Sequence, residues 1–268
     1  MVNAGGSRST SLRSGTMRRY KRSAKSVKDL VAKAVSRNQE KKESNVFAQN
    51  RNLYGSVNAS WAASSIQLSP GTSPNGFSIP NGTGQGNRIG NRIRVEKAWV
   101  KGIIFPMPTN EITNPSPVPL QIRMLIFKDK YRATAQPAAI NLDLFQTGST
   151  SIGPADNLVD MILDINRDRY QIYHDSVMKL GFAENAGTGG VVAQQYRTNN
   201  DFNYNCEFNI DITNFLPKNI VFNDAEVNPM SDGLWMQFLV VPANGTVAGN
   251  NAIFAQLHYS ANIEYSDA

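Results

Sequence analysis

Residues Phe202–Ile212 read FNYNCEFNIDI, the most regular pattern in a chain of 268 residues. Apolar and polar side chains alternate at every position of this stretch. Successive side chains of a β-strand point to opposite faces, so this alternation is typical of a strand with one buried and one solvated face. The single cysteine, Cys206, falls on the apolar face, where we expect it to act as a small buried hydrophobic residue.

The same period of two recurs along the rest of the chain. Strands are predicted at Asn91–Ile103, Val118–Asp129, Arg169–Gly181 and Ile253–Tyr265, with weaker candidates at Val191–Arg197 and Asn219–Asn223. Gly233–Val241 is apolar on both faces, which predicts a strand buried on both sides. Residues 44–86 are rich in Asn, Ser, Gly and Pro and predict a linker with one or two weak strands. One short helix is predicted at Asn157–Leu163.

These elements predict an all-β fold. About eight strands, long polar loops and the absence of a βαβ rhythm favour a single eight-stranded antiparallel jelly roll, made of two packed sheets, over residues 45–268. An immunoglobulin-like sandwich is the alternative, which the long and uneven spacing of the strands disfavours.

Residues 1–44 differ from this body in charge. Residues 1–42 hold twelve of the 27 Lys and Arg but only two of the 21 Asp and Glu, which leaves 15 basic and 19 acidic side chains for the rest. The arm therefore carries about +10 and the body about −4. Residues 1–22 are predicted to be disordered, and apolar residues at helical spacing predict an amphipathic helix over residues 23–42.

A basic arm of this kind is typical of a polyanion-binding segment. Lys and Arg neutralise phosphates without reading bases, so we expect salt-sensitive binding of nucleic acid with little sequence preference. The predicted contact residues are Arg8, Arg13, Arg18, Arg19, Lys21, Arg22, Lys25, Lys28, Lys33, Arg37, Lys41 and Lys42. The tract Met17–Arg22 also suits nuclear targeting, alone or together with nucleic-acid binding.

The sequence predicts neither an enzyme nor a resident cofactor. The two histidines, His174 and His258, are far apart, and none of the common nucleophile or zinc motifs occurs. The glycine-rich run Gly82–Gly90 follows a loop and precedes a strand, which favours a turn over a phosphate-binding loop. Asp164–Asp175 imitates the acid spacing of a calcium-binding EF-hand loop, but Arg169 stands where that loop needs glycine.

No membrane insertion is expected either. The first twenty residues are polar and basic, and the apolar runs are too short to cross a bilayer. We therefore expect an intracellular product.

Several stretches, in their order, resemble the capsid proteins of small icosahedral viruses. The strand start at Gln85–Val95, followed by Val100–Gly102, looks like that of the satellite tobacco necrosis virus coat protein and of capsids of circular, Rep-encoding single-stranded DNA viruses. Arg169–Asp175 is similar to the Arg-Phe/Tyr-x-Ile/Val-x-x-Asp element of these proteins. The ending Tyr265–Ala268 is similar to the Tyr-x-Asp-Ala tail of the satellite coat protein.

The resemblance implies a structural protein of the virion. It would assemble with itself into a T=1 shell of about 60 copies, package circular single-stranded DNA through its arm, and pass through the host nucleus during assembly. In the satellite family the terminal Asp helps to hold calcium between subunits, so Asp267 inherits the suggestion of a divalent-cation ligand. The host receptor is not defined by the sequence.

Two alternatives stay open. The first is an RNA satellite-type capsid, which changes only the cargo. The second is a cellular jelly-roll binding module with a basic tail, for which a cupin-type metal site is disfavoured because the two histidines are scattered.

Overall fold

The structure is a computed structural model that describes residues 31, 40–55, 64–71, 76–84, 86–107, 118–130, 143–155, 157–186, 193–197, 203–223, 229–230, 233–245 and 253–267. The chain divides into two compact units, Met1–Glu40 and Lys41–Ala268. The described residues of the second unit contain thirteen strands: β1 (Lys41–Tyr54), β2 (Ile66–Gln67), β3 (Arg92–Pro106), β4 (Leu120–Asp129), β5 (Phe145–Thr147), β6 (Thr150–Ile152), β7 (Tyr170–Leu180), β8 (Phe182–Ala186), β9 (Ala193–Arg197), β10 (Cys206–Asp211), β11 (Asn219–Val221), β12 (Leu234–Pro242) and β13 (Ile253–Asp267).

Two antiparallel sheets form the body. The five-stranded sheet has the order β1-β13-β3-β10, with β11 paired to the first residues of β3. The four-stranded sheet has the order β2-β12-β4-β7. Two small hairpins, β5-β6 and β8-β9, complete the described strands. The chain therefore has an all-β, β-sandwich-like fold.

The main hydrophobic core draws on the inner faces of both sheets. Ile104 of β3 and Leu257 of β13 belong to the same buried cluster as Ile122 of β4 and Val240 of β12. The rings of Phe208 and Phe238, one from each sheet, have centroids 6.0 Å apart. Alternation along each strand supplies these inward side chains, as the period-two pattern predicted.

The four-stranded sheet is buried on its outer face as well. Every residue of β12 is buried, because part of the connection between β4 and β7 covers this face. A second hydrophobic cluster joins Phe127 and Leu239 of the sheet to Phe145, Met161 and Ile165 of that connection. The prediction that Gly233–Val241 is buried on both sides is confirmed.

Most of the predicted strands are confirmed, but the prediction for residues 41–54 is only partly correct. These residues form one strand of 14 residues, where the sequence predicted the end of a helix followed by a linker with one or two weak strands. Lys41 and Lys42 pair with Ser266 and Tyr265 of β13, so the predicted helix over residues 23–42 is wrong at its end. Pairing with β13 stabilises this polar segment as an edge strand, a long-range effect that local composition does not carry.

The rest of the arm can be described at one position before Glu40. Val31 is helical, and the other residues of the arm predictions lie outside the described part of the chain. The helix predicted at Asn157–Leu163 is a single 3₁₀ turn, Leu158–Met161, capped by the Asn157 side chain, which accepts from the Val159 N–H at 2.9 Å. In the described residues, no helix has the length and apolarity needed to span a membrane.

Candidate nucleic-acid interface

The predicted arm cations separate into two groups. The ten from Arg8 to Arg37 lie outside the described residues. Lys41 is exposed at the start of β1, but Lys42 is buried, with only 5% of its surface accessible. The two lysines thus belong to the sandwich rather than to the segment before it.

Lys42 forms an ion pair that ties the start of β1 to the end of the chain. Its Nζ lies 2.7 Å from Oδ2 of Asp267 and donates to the backbone oxygen of Asn87 at 2.8 Å. The second carboxylate oxygen of Asp267 accepts from the Ile89 N–H at 2.9 Å. We call these four residues the clasp. It joins β1, β13 and the glycine-rich run before β3.

The glycine-rich run is a turn structure that leads into β3, as predicted. Gly86 and Gly90 have φ values of 82° and 88°, which side chains other than glycine rarely adopt. The hydroxyl of Tyr265 donates to the Gly86 oxygen at 2.6 Å. Arg88 is fully buried with its guanidinium 4.4 Å from the centre of the Phe222 ring. This arginine is therefore part of the packing and is not presented to a phosphate.

The surroundings of Asp267 do not suit a divalent cation within one chain. One oxygen pairs with the Lys42 ammonium, and a nearby positive charge competes with a metal ion for a carboxylate. The described residues contain no group of three or more His, Cys, Asp or Glu that could hold a metal ion. A calcium site shared between copies stays a prediction for Asp267.

The stretch that resembles the family's Arg-Tyr element is an ion-pair network. Arg169 pairs with Asp129 at 3.0 Å and with Asp143, and the Tyr170 hydroxyl donates to Asp143 at 2.9 Å. Burial lowers the pKa of Arg169, but the hydrogen bonds to both carboxylates outweigh it and raise that pKa overall. Burial, followed by the Asp143 hydrogen bond, raises the pKa of Tyr170. The network connects β4, β7 and the segment before β5.

Asp175, the last residue of this stretch, holds a buried arginine that the sequence analysis did not identify. Arg123 Nε and Nη2 donate to the two oxygens of Asp175 at 2.8 and 2.6 Å. Arg123 Nη1 donates to the backbone oxygens of Asp160 and Leu163, both at 2.8 Å. Bidentate pairing of this kind is strong and directional. Arg123 therefore attaches the 3₁₀ turn to the four-stranded sheet.

The other chemically versatile side chains have packing roles. His174 Nε2 lies 2.9 Å from the Ser176 hydroxyl, and burial lowers the pKa of the imidazole against an opposing effect of Asp175. Burial raises the pKa of the Cys206 thiol to about 11, which keeps it protonated and unreactive near neutral pH.

A depression of about 520 Å³ lies on the outer face of the five-stranded sheet. Its lining includes an aromatic ring, a lysine and several hydrogen-bonding groups, from Phe47, Lys101, Glu207, Asn209, His258 and Ser260. Phe47 is 66% exposed, which is unusual for an aromatic side chain. The sequence did not predict the depression, because it placed Phe47 in a linker with one or two weak strands and gave that segment no partner strand. Once β1 is drawn as a strand, the period of two puts Phe47 on the face opposite Val46.

Gly102 lies in this depression and allows two strands to approach closely. A Cβ atom added to it would lie 2.6 Å from Cζ of Phe208 and 2.8 Å from the backbone oxygen of His258. Because both distances are far below van der Waals contact, the packing of Phe208 requires glycine here.

Comparison with known proteins adds no identification. No protein-family model matches the sequence, and no curated protein matches it at a significant level.

Proposed function

We propose that the two sheets are those of an eight-stranded jelly roll. The pairs β1·β13, β2·β12, β3·β10 and β4·β7 support this, because they join the first four of these strands, in reverse order, to the last four. A long antiparallel hairpin that folds over on itself generates this pattern, with alternate pairs in alternate sheets. The added contacts β3·β13 and β4·β12 are the ones that such wrapping creates.

We infer that the chain is a capsid protein that binds single-stranded nucleic acid through its arm and encloses it in a closed shell. The division of charge carries this inference. Lys41 and Lys42 belong to β1, so residues 1–40 hold ten basic and two acidic side chains. Residues 41–268 hold 17 basic and 19 acidic side chains. A strongly cationic arm suits phosphates, whereas a nearly neutral body can pack against copies of itself without strong repulsion.

The mechanism has three steps. Arms neutralise phosphates and release counterions, the nucleic acid condenses, and identical bodies associate around closed symmetry axes. About 60 arms of net charge about +8 supply roughly 480 positive charges, against one negative charge per nucleotide. The reading frame for 268 residues alone needs about 800 nucleotides, so the arms neutralise a large part of the charge of that stretch and other cations neutralise the rest of the packaged strand.

We propose circular single-stranded DNA as the cargo and the virion as the site of action, with assembly in the host nucleus. The length of the chain and its glycine-arginine strand start, which resembles DNA-virus capsids, favour DNA. An RNA satellite-type capsid is the second candidate, favoured by the Tyr265–Ala268 ending.

Electron microscopy of the purified full-length protein tests the proposal. We expect uniform closed particles in negative stain, a 260/280 nm absorbance ratio typical of nucleoprotein, and contents that DNase degrades once the particles are opened. Degradation by RNase instead would establish the RNA alternative. Monomers or small oligomers without nucleic acid across a range of salt and pH would refute the capsid function and favour the cellular binding module.

A further inference from the structure

We propose that the depression on the outer face of the five-stranded sheet is a stacking site for a base of single-stranded nucleic acid, with Phe47 as its platform. The proposal rests on the function proposed above and adds a specific site on the sandwich, separate from the arm. The probes below distinguish a failure of this site from a failure of nucleic-acid binding as a whole.

The strand register places the lining residues in two rows across the sheet. Phe47 of β1, Ser260 of β13, Lys101 of β3 and Asn209 of β10 pair in turn and form the first row. His258, Ile103 and Glu207 form the second row. Neighbouring strands are about 4.8 Å apart, so Phe47 and Lys101 stand about 10 Å apart with only the small Ser260 side chain between them.

This spacing suits a flat ring. Stacked aromatic rings have centroids about 4.5–7 Å apart, so a ring stacked on Phe47 would lie above Ser260 and next to Lys101. His258 already stacks on Phe105, with ring centroids 4.7 Å apart and planes 18° apart, and forms the adjacent wall. The depression thus combines an exposed platform with a narrow floor.

The polar groups suit a nucleobase and its backbone. Exposed aromatic side chains next to cations are a recurring means of binding single strands, because every base has a face that can stack. Lys101 can pair with the phosphate of the stacked nucleotide. Asn209 and Ser260 can donate and accept hydrogen bonds at a base edge, and the Glu207 carboxylate can accept from an exocyclic amino group but repels a phosphate.

The position of Phe47 in the chain favours this occupant. It follows Arg37, the last predicted cation before β1, by ten residues. Ten residues span at most about 35 Å, so phosphates held by the arm are tethered near β1 at a high effective concentration. The outer face of the four-stranded sheet offers no comparable platform in the described residues, since the connection between β4 and β7 covers it.

The charges of the outer face indicate a base rather than a run of phosphates. Lys101 and Glu207 offset each other in the lining, and the surrounding face carries Lys97, Asp211 and Glu264. Such a face does not attract phosphates by net charge. Its contribution to binding, in addition to the phosphate contacts of the arm, is therefore the stacking of a base on Phe47.

The test measures the affinity of the full-length protein, as unassembled subunits, for two fluorescent probes. One probe is an oligodeoxycytidylate, and the other is an oligomer of the same length with abasic sites throughout. Both carry the same phosphates. We expect the wild type to bind the base-bearing probe about tenfold more tightly than the abasic one. Phe47→Ala should lower this ratio severalfold without changing the affinity for the abasic probe, and Phe47→Tyr should keep it.

Tyr204→Ala is the matched control, because Tyr204 is another exposed aromatic residue, at 54%, outside the depression. It should leave the ratio unchanged. A wild-type ratio near one, or an equal ratio in Phe47→Ala and the wild type, would overturn the stacking site while arm binding to the abasic probe persists. Wild-type protein that binds neither probe would overturn both this site and the proposed nucleic-acid binding.

Discussion

At the scale of single residues, the clasp shows that Lys42, which the sequence placed in the basic arm, is a buried residue of the sandwich. Lys42 and Asp267 are 225 residues apart in sequence, and the residues beside them in sequence do not predict that either side chain is buried. The lysine side chain is 3% exposed and the aspartate side chain 23% exposed. A buried ammonium that loses its partner is strongly destabilising, whereas replacing both partners removes that penalty.

Asp267→Asn tests the clasp. The lysine would lose its counter-charge, and because Asp267 is partly exposed we expect the free energy of unfolding to fall by about 2 kcal/mol, less than for a fully buried pair. Urea unfolding measures the change. The exposed Asp164→Asn should cost less than about 0.5 kcal/mol, and adding Lys42→Met to Asp267→Asn should restore part of the loss. Equal stability of both single variants would show that the clasp contributes nothing.

Cys206 provides a second test at this scale. Because burial raises its pKa to about 11, we expect iodoacetamide to label it slowly in the folded protein at pH 8 and rapidly after unfolding in urea. The same pKa shift makes the free energy of unfolding depend on pH. The unfolded thiol loses its proton first, so the thiol lowers folding stability as pH rises above about 8.5. Cys206→Ala should remove that component of the pH dependence, and rapid labelling of the folded protein would contradict the burial.

At the scale of elements, the connection between β4 and β7 is a separate layer. It packs Phe145, Met161 and Ile165 against the four-stranded sheet and is fixed there by Arg123. Ile162, the residue that follows the 3₁₀ turn, is 80% accessible. Because its hydrophobic side chains are buried against the sheet, we expect the order of this layer to depend on those contacts.

Arg123→Met should loosen this layer and leave the sheets intact. The variant removes a bidentate ion pair and leaves two backbone oxygens without their donor, which should cost about 3 kcal/mol. We expect chymotrypsin to cleave within residues 143–166 of the native variant while its far-ultraviolet circular dichroism stays that of the wild type. Arg167→Met, an exposed arginine on the same connection, is the control. Resistance of Arg123→Met equal to that of the control would refute this role.

The elements also show which features local sequence can predict. The alternating segments around Cys206 and Leu257 predicted their strands because burial on one face imposes a period of two. The length of β1 was missed because its pairing with β13 joins segments about 200 residues apart in sequence, and its polar outer face resembles a loop in composition. The depression was missed for the same reason, since only the strand order places Phe47 and Lys101 on the same face, on either side of β13.

At the scale of the whole molecule, the boundary of the arm is now sharper. Sequence composition placed Lys41 and Lys42 with the other cations, but strand pairing assigns them to β1. Composition could predict the excess charge of the arm, because charge is additive along the chain. It could not predict where the fold begins, because that depends on which residues find a partner strand.

Two truncations separate the arm from the fold. Deletion of residues 1–40 should leave the sandwich within about 0.5 kcal/mol of its stability, since Lys42 keeps its clasp. The deletion should also weaken the salt dependence of binding to single-stranded nucleic acid. The slope of the logarithm of the association constant against the logarithm of the salt concentration should become shallower by about 0.7 for each lost phosphate contact. Deletion of residues 1–42 should lose further stability, because Asp267 then lacks its partner. Unchanged salt dependence after removal of residues 1–40 would contradict the assignment of nucleic-acid binding to the arm.

The proposed self-assembly around nucleic acid is tested most directly by the mass of the native particle. With 29.5 kDa per chain, about 60 copies amount to roughly 1.8 MDa of protein. We expect native mass spectrometry of the purified full-length protein to give a narrow peak at that mass plus the mass of the packaged strand, and the excess should disappear when opened particles are treated with nuclease. A mass of one or a few chains at every salt concentration, with no bound nucleic acid, would contradict it.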